Sequence, residues 1–353
     1  MGGYRDRLER DLDAWIAQGW VQAENRAVIM ASVGEPRRLD AASALAAVGG
    51  LLAGAAVIAF VASNWSEIPR LLRFALVLTA FLAAATGAAW SSARARPVVS
   101  QVLLCIAALV FAAAIGLTGQ IFDIAGDPKA ALRGAGLAAA LLAVAGGSPW
   151  VGVVALALIG LGDVAGSNRG FDGQVWPGWL VAAAPIGAVT ALLFRSSSLA
   201  HAAGIGAIAA VFTMDGLFAG RAEVVFLSAA GILAAGAAAA RALRARHEAP
   251  ADILYGWLAW GALGFFGLAG VDGGWGGVGY NAAWMALSVG VIVLGRHDRH
   301  GLVTAAGVVG LFAAAASLLF NLGVDLMVAA GVFGLAALVT LLVAFVLRRR
   351  RPA

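Results

Sequence analysis

The stretch GAGLAAALLAVAGGSPWVGVVALALIGLG, residues 134–162, decides how the chain folds. It runs uncharged from Arg133 to Asp163. Its length alone admits one long tilted helix, but Gly146-Gly147-Ser148-Pro149 sits in the middle. Paired glycines end a helix without a Cβ penalty. Ser followed by Pro then supplies an N-cap and a first helical residue. The stretch reads as two helices joined by a tight turn.

Arginine placement argues the same way. Cytoplasmic segments of membrane proteins collect Lys and Arg. With two spans here, 18 basic residues fall inside and 6 outside; fusing them gives 10 inside and 14 outside. The same logic extends along the chain, where twelve apolar stretches are separated by turn signals or charges. They cover roughly 42–62, 71–90, 98–117, 130–147, 150–166, 178–194, 199–217, 224–240, 253–270, 277–295, 301–320 and 326–347. The expected fold is an all-α integral membrane protein with about twelve transmembrane helices and a short N-terminal amphipathic helical hairpin. Both termini of this multi-pass membrane protein are expected on the cytoplasmic side.

Composition agrees. Of 353 residues, 62% are hydrophobic and 12% charged, where soluble domains carry roughly 25% charged. A span uses about 20 apolar residues to cross about 30 Å of hydrocarbon, so twelve spans leave only short connections. The organisation is a cytoplasmic amphipathic segment over 1–40, a membrane domain of five spans over 41–166, and further helices with a basic tail over 167–353. No early apolar stretch precedes Ala42, so no cleavable signal peptide is expected. In the N-terminal segment Leu8, Leu12, Trp15 and Ile16 share one helix face. That face lies on the inner leaflet or packs on cytoplasmic loops.

The net charge of +5 would suggest nucleic acid in a soluble protein. Here the basic residues cluster at span ends, which fits topology and lipid headgroups, and nucleic-acid binding is not expected. Lone Cys105 excludes an intramolecular disulfide or a multi-cysteine metal site. No cofactor is expected. His297-Asp298-Arg299-His300 reads as a solvated cytoplasmic loop, since a metal there would need a third ligand. Trp257 and Trp260 share a helix face and line either a cavity or the core. No repeated motif relates the two halves of the chain.

The span interiors hold almost no ionisable group, and Arg133, Asp163, His201 and Asp215 fall near span ends. Proton-coupled carriers usually keep such a group at mid-depth, so ion-driven transport is disfavoured. Two segments expected on the outer side are richer: Ser63-Asn64-Trp65-Ser66-Glu67, and Gly119-Gln120-Ile121-Phe122-Asp123 with Gly126-Asp127-Pro128. Asn64, Trp65, Gln120, Asp123 and Asp127 are the candidate ligand-binding residues. Each has a structural alternative. Asp127 before Pro128 is a ready N-cap, Asn64 can cap a helix, and Trp65 suits the interfacial belt.

These segments also carry a family likeness. The first span closing on Val61-Ala62-Ser63-Asn64-Trp65, and the later Gly119-Gln120-Ile121-Phe122 with Gly126-Asp127-Pro128, resemble a bacterial family of predicted membrane proteins catalogued as domain of unknown function 2157. Phe122 stands where that pattern usually has Tyr. The resemblance spans about residues 5–165 and implies a membrane fold, with no activity, substrate or cofactor. Three functions fit the residues. One is binding or translocating a small solute or lipid at the outer polar site. A second is a membrane scaffold or accessory subunit, whose protein partners the sequence does not name. A third is an intramembrane enzyme on a lipid-linked substrate, using Asp123, Asp163 and Asp215; an enzyme is the less favoured class.

Overall fold

The structure is a computed structural model that describes residues 4–32, 68–121, 126–165, 178–214, 222–246, 248–272, 277–323 and 331. Every element among them is a helix. The chain divides into two units, 1–69 and 70–353.

The first unit holds α1 (Tyr4–Ala17) and α2 (Asn25–Ser32). Gly19 ends the first run with a φ of +74°, a conformation that costs glycine little. Arg26 on α2 donates to Glu9 at 2.9 Å and to Asp13 at 3.0 Å on α1. Hydrogen bonding to Asp13, then to Glu9, raises the Arg26 pKa above its ordinary value.

Among the described residues the second unit holds ten helices: α3 (Arg70–Ala93), α4 (Pro97–Ile121), α5 (Pro128–Ala145), α6 (Pro149–Val164), α7 (Leu180–Leu193), α8 (Ser197–Phe212), α9 (Ala222–Leu243), α10 (Glu248–Asp272), α11 (Val278–His297) and α12 (Gly301–Asn321). They pair as consecutive hairpins, α3 with α4 through α11 with α12. The break inside residues 134–162 is present. Gly147 takes a φ of +57°, Ser148 accepts the Val151 N–H as N-cap, and Pro149 starts α6.

That turn is one of a set. Ala95, Gly147, Arg195 and Arg299 all take a left-handed φ, between 50° and 57°. In each turn the next residue donates its N–H five residues back: Arg96 to Ser91, Ser148 to Ala143, Ser196 to Ala191 and His300 to Gly295. This is the Schellman closure of a helix C-terminus. Ser148, Ser196 and His300 then cap the following helix with their own side chains. The hairpin therefore repeats at roughly fifty-residue steps. The sequence hides this repeat because the shared feature is a backbone conformation, carried by Ala, Gly and Arg alike. The end of the unit bearing these turns is called the turn end below, and the opposite end the loop end.

Seven of the ten helices, α3, α4, α5 and α9 through α12, are long and apolar enough to cross a membrane. The three in the middle of the unit are shorter: α6 and α8 have 16 residues and α7 has 14. At 1.5 Å per residue they reach about 21–24 Å, less than the ~30 Å of a hydrocarbon core. α8 begins at Ser197, two residues ahead of the expected stretch, where Ser196 accepts the Leu199 N–H, and stops at Phe212, where the Thr213 hydroxyl donates to the Ala210 carbonyl. The expected spans 42–62 and 326–347 lie outside the described residues, 331 apart.

The outer surface of this unit is apolar. Leu141, Ile232 and Phe320 are each more than 70% exposed. Patches of that kind are rare on soluble monomers, and lipid is the solvent that tolerates them. The interior is built from alanine and glycine. Alanines 200, 203, 237 and 259 surround Leu199, Leu254 and Tyr255 in the largest cluster, formed by α6, α7, α8, α9, α10 and α12. Small side chains let helix backbones approach, so dispersion holds the helices where lipid removes any hydrophobic drive. α10 is the central post, with over half of its apolar stretch buried, against 11% for α3.

Candidate functional site

Of the five residues selected from the sequence, Asn64, Trp65 and Asp123 lie outside the described residues. Gln120 belongs to the last turn of α4. Asp127 is the N-cap of α5; its carboxylate accepts the Lys129 N–H at 2.9 Å.

Close to Asp127 in sequence, a buried ion pair joins three helices at the loop end. The Arg133 Nε and Nη2 atoms on α5 lie 2.7 and 2.5 Å from Oδ1 of Asp163 on α6. The Asp163 side chain is fully buried, and its Oδ2 accepts the first N–H of α7, from Leu180, at 2.8 Å. Trp179 lies beside the guanidinium, its ring centre 5.5 Å from Cζ. Gly178 is obligatory here, since a Cβ would come within 2.6 Å of Asp163 Oδ2 and Thr213. Both charges had been placed only near span ends; nothing in the sequence paired residues thirty positions apart. With both oxygens engaged, Asp163 is poorly suited to acid–base work.

A second feature lies among the last four described helices. A cleft of about 550 Å³ is walled by Ala230, Ala234 and Ala238 of α9 and by Leu287 and Val291 of α11. α10, with Phe266, and α12 form its floor. α9 and α11 do not touch each other, so the cleft opens sideways between them. Its volume suits a small-molecule site, which typically occupies ~300–1,000 Å³. Its walls are apolar except at the turn end, where Arg241 and Tyr255 line it.

Those two residues close that end through the α11–α12 turn. Arg241 donates from Nε and Nη2 to the two oxygens of Asp298 at 2.5 and 2.7 Å. The Tyr255 hydroxyl donates to Oδ2 at 3.0 Å. Arg244 donates to the Asp298 carbonyl and pairs with Asp252 at 2.7 Å. His300 is buried: its Nδ1 accepts the Val303 N–H, so Nε2 carries the proton and donates to the Asp252 carbonyl at 2.9 Å. The segment 297–300, expected to be a solvated loop, is instead tied into the bundle. Only His297 and Arg299 stay exposed, with Asp298 7% exposed at its side chain. The sequence signal available was a single carboxylate among basic residues. Trp257 and Trp260 are both half-buried and tie helices together: Trp257 donates to His201 Nδ1 and Trp260 to the Leu302 carbonyl. Among the described residues no three His, Cys, Asp or Glu side chains converge on a metal site.

Hydrogen bonds from Arg241 hold Asp298 at a pKa of about 2, against burial, with further help from Tyr255 and the neighbouring guanidinium charges. A carboxylate depressed in the folded state stabilises above its unfolded value, here 3.8, and loses that contribution as pH falls through the folded value. The melting-temperature gap between wild type and Asp298→Asn should therefore stay constant from pH 8 to 5. It should close only toward pH 2. Closure between pH 6 and 5 would show that another group controls the turn.

Known proteins bear on the N-terminal part. Residues 13–152 match the family described as Predicted membrane protein (DUF2157). The DUF2157 match begins in α1 and ends just inside α6, so it includes all five sequence-selected residues and Arg133. It stops short of Asp163 and of the cleft. With the apolar helices, the DUF2157 match makes this a membrane protein. No curated protein and no solved structure matches the chain.

Proposed function

We propose that this is a twelve-span protein of a bacterial inner membrane, with both termini cytoplasmic, and that it binds a lipid-like amphiphile in the cleft between α9 and α11. The single observation that carries this reading is the chemistry of the cleft: apolar along its length, open toward the surrounding lipid, and polar at one end only. An acyl chain suits such walls, and each buried methylene contributes about 0.8 kcal/mol relative to water. A headgroup would sit at the turn end beside Arg241 and Tyr255. The polar cluster of Asn64, Trp65, Gln120, Asp123 and Asp127 is proposed as a separate binding site for a small solute or lipid. The α1–α2 pair is proposed to form the amphipathic hairpin at the cytoplasmic face.

Native mass spectrometry of protein released from nanodiscs tests the cleft. Ala234 and Ala238 are exposed in it, so phenylalanine at both positions fills space without disturbing the core. In nanodiscs of phosphatidylcholine alone, the fraction of protein carrying a co-purified phosphatidylcholine should fall about tenfold, a loss of roughly 1.4 kcal/mol. Unchanged occupancy would remove the reading. The Gln120→Ala, Asp123→Ala pair in the same assay tests the polar cluster, which drops out if occupancy stays at the wild-type level.

A further inference from the structure

The turn between α11 and α12 separates its charges onto two faces. Asp298 points inward, where Arg241 and Tyr255 take both of its oxygens. His300 is pinned by Asp252 and by its own cap on Val303. These contacts fix the backbone on either side of Arg299, which holds a φ of +53°. The carboxylate of the turn is thus consumed on the α9 side. Arg296 and Arg299 remain exposed on the other side with no carboxylate contact among the described residues.

Those two arginines border a separate hollow of about 480 Å³, on the α11–α12 face. Its far wall is Ala305, Val308 and Val309 of α12, and both valines are well exposed. Two uncompensated guanidinium groups therefore sit at the end of an apolar furrow that runs along a membrane helix. We infer that this hollow is a binding site for an anionic glycerophospholipid, whose phosphate lies between Arg296 and Arg299 and whose acyl chain runs over Val308 and Val309. Guanidinium groups bind phosphate oxygens through paired N–H donors. Basic pockets between membrane helices are established headgroup sites. The furrow beneath the charges selects a lipid over free phosphate, because only a lipid fills both parts. The site is distinct from the cleft, since the two cavities share no lining residue.

The test compares nanodiscs of phosphatidylcholine alone with nanodiscs that also contain phosphatidylglycerol, reading retained lipid by native mass spectrometry. The Arg296→Gln, Arg299→Gln variant should retain about tenfold less phosphatidylglycerol, given the cost of losing two surface charges. Arg195→Gln removes the same charge from the α7–α8 turn and should change retention less than about twofold. The cleft-filling variant should keep wild-type retention here, so failure of the cleft reading leaves this site standing and the reverse also holds. Thermal unfolding confirms that each variant is folded, and the two single Gln variants carry the test if the double one is not. Wild-type retention in the double variant, or an equal loss in Arg195→Gln, overturns the assignment. So does equal recovery of inorganic phosphate and phosphatidylglycerol.

Discussion

Arg133→Leu should destabilise the protein by about 3–5 kcal/mol, the usual cost of removing one member of a buried ion pair. The reason is what it leaves behind. Asp163 is fully buried, one of its oxygens accepts from Arg133, and the other accepts from Leu180. Without the guanidinium, a carboxylate faces apolar surroundings or must take up a proton. Either outcome loosens the junction of α5, α6 and α7. The double variant Arg133→Leu, Asp163→Leu removes both charges and should recover part of the loss, leaving the Leu180 N–H unmet at about 1–3 kcal/mol. Thermal unfolding in detergent reads both. A single variant no less stable than wild type would mean that the pair contributes nothing net.

Gly307→Val should cost about 3 kcal/mol, at the upper end for overpacking a filled core. A Cβ at 307 would lie 2.7 Å from the Ser288 carbonyl oxygen and from the Ile292 nitrogen on the facing helix. Those are backbone atoms, which no rotamer change can move away. α11 and α12 would have to separate along their whole contact, and with them the floor and one wall of the cleft. Gly290→Ala is the matched control, since a Cβ there meets nothing within 4 Å. It should be neutral or slightly stabilising, because alanine is the better helix former. If both substitutions behave alike, the close approach of α11 and α12 is not what holds that hairpin.

Helix ends were the most legible part of the sequence. Gly146-Gly147-Ser148-Pro149 predicted a break, and α5 and α6 stop and start there. Asp127-Pro128 predicted a cap, and Asp127 caps α5. These features act within a few residues, so a string of letters contains all of their physics. The turns at Ala95, Arg195 and Arg299 were less visible. They use the same left-handed closure without glycine, at a steric cost offset by the bonds that the next residue makes.

The candidate site was less legible still. The sequence singles out residues that are polar and clustered along the chain. The apolar cleft instead lies beside α9 and α11, and its walls are the least informative residues in the chain. Ala230, Ala234 and Ala238 repeat at one helical face, but so do dozens of alanines that pack in the core.

Sequence alone determined the solvent of this protein, its helical class and many of its helix boundaries, because apolar length and capping chemistry are local properties of the chain. Tertiary structure decided which charges meet. Arg241 finds Asp298 across 57 residues and Arg133 finds Asp163 across 30. Helices this uniformly apolar carry no stripe to set their rotation, so neighbours and facing sides are chosen only when glycines and alanines fit backbone against backbone.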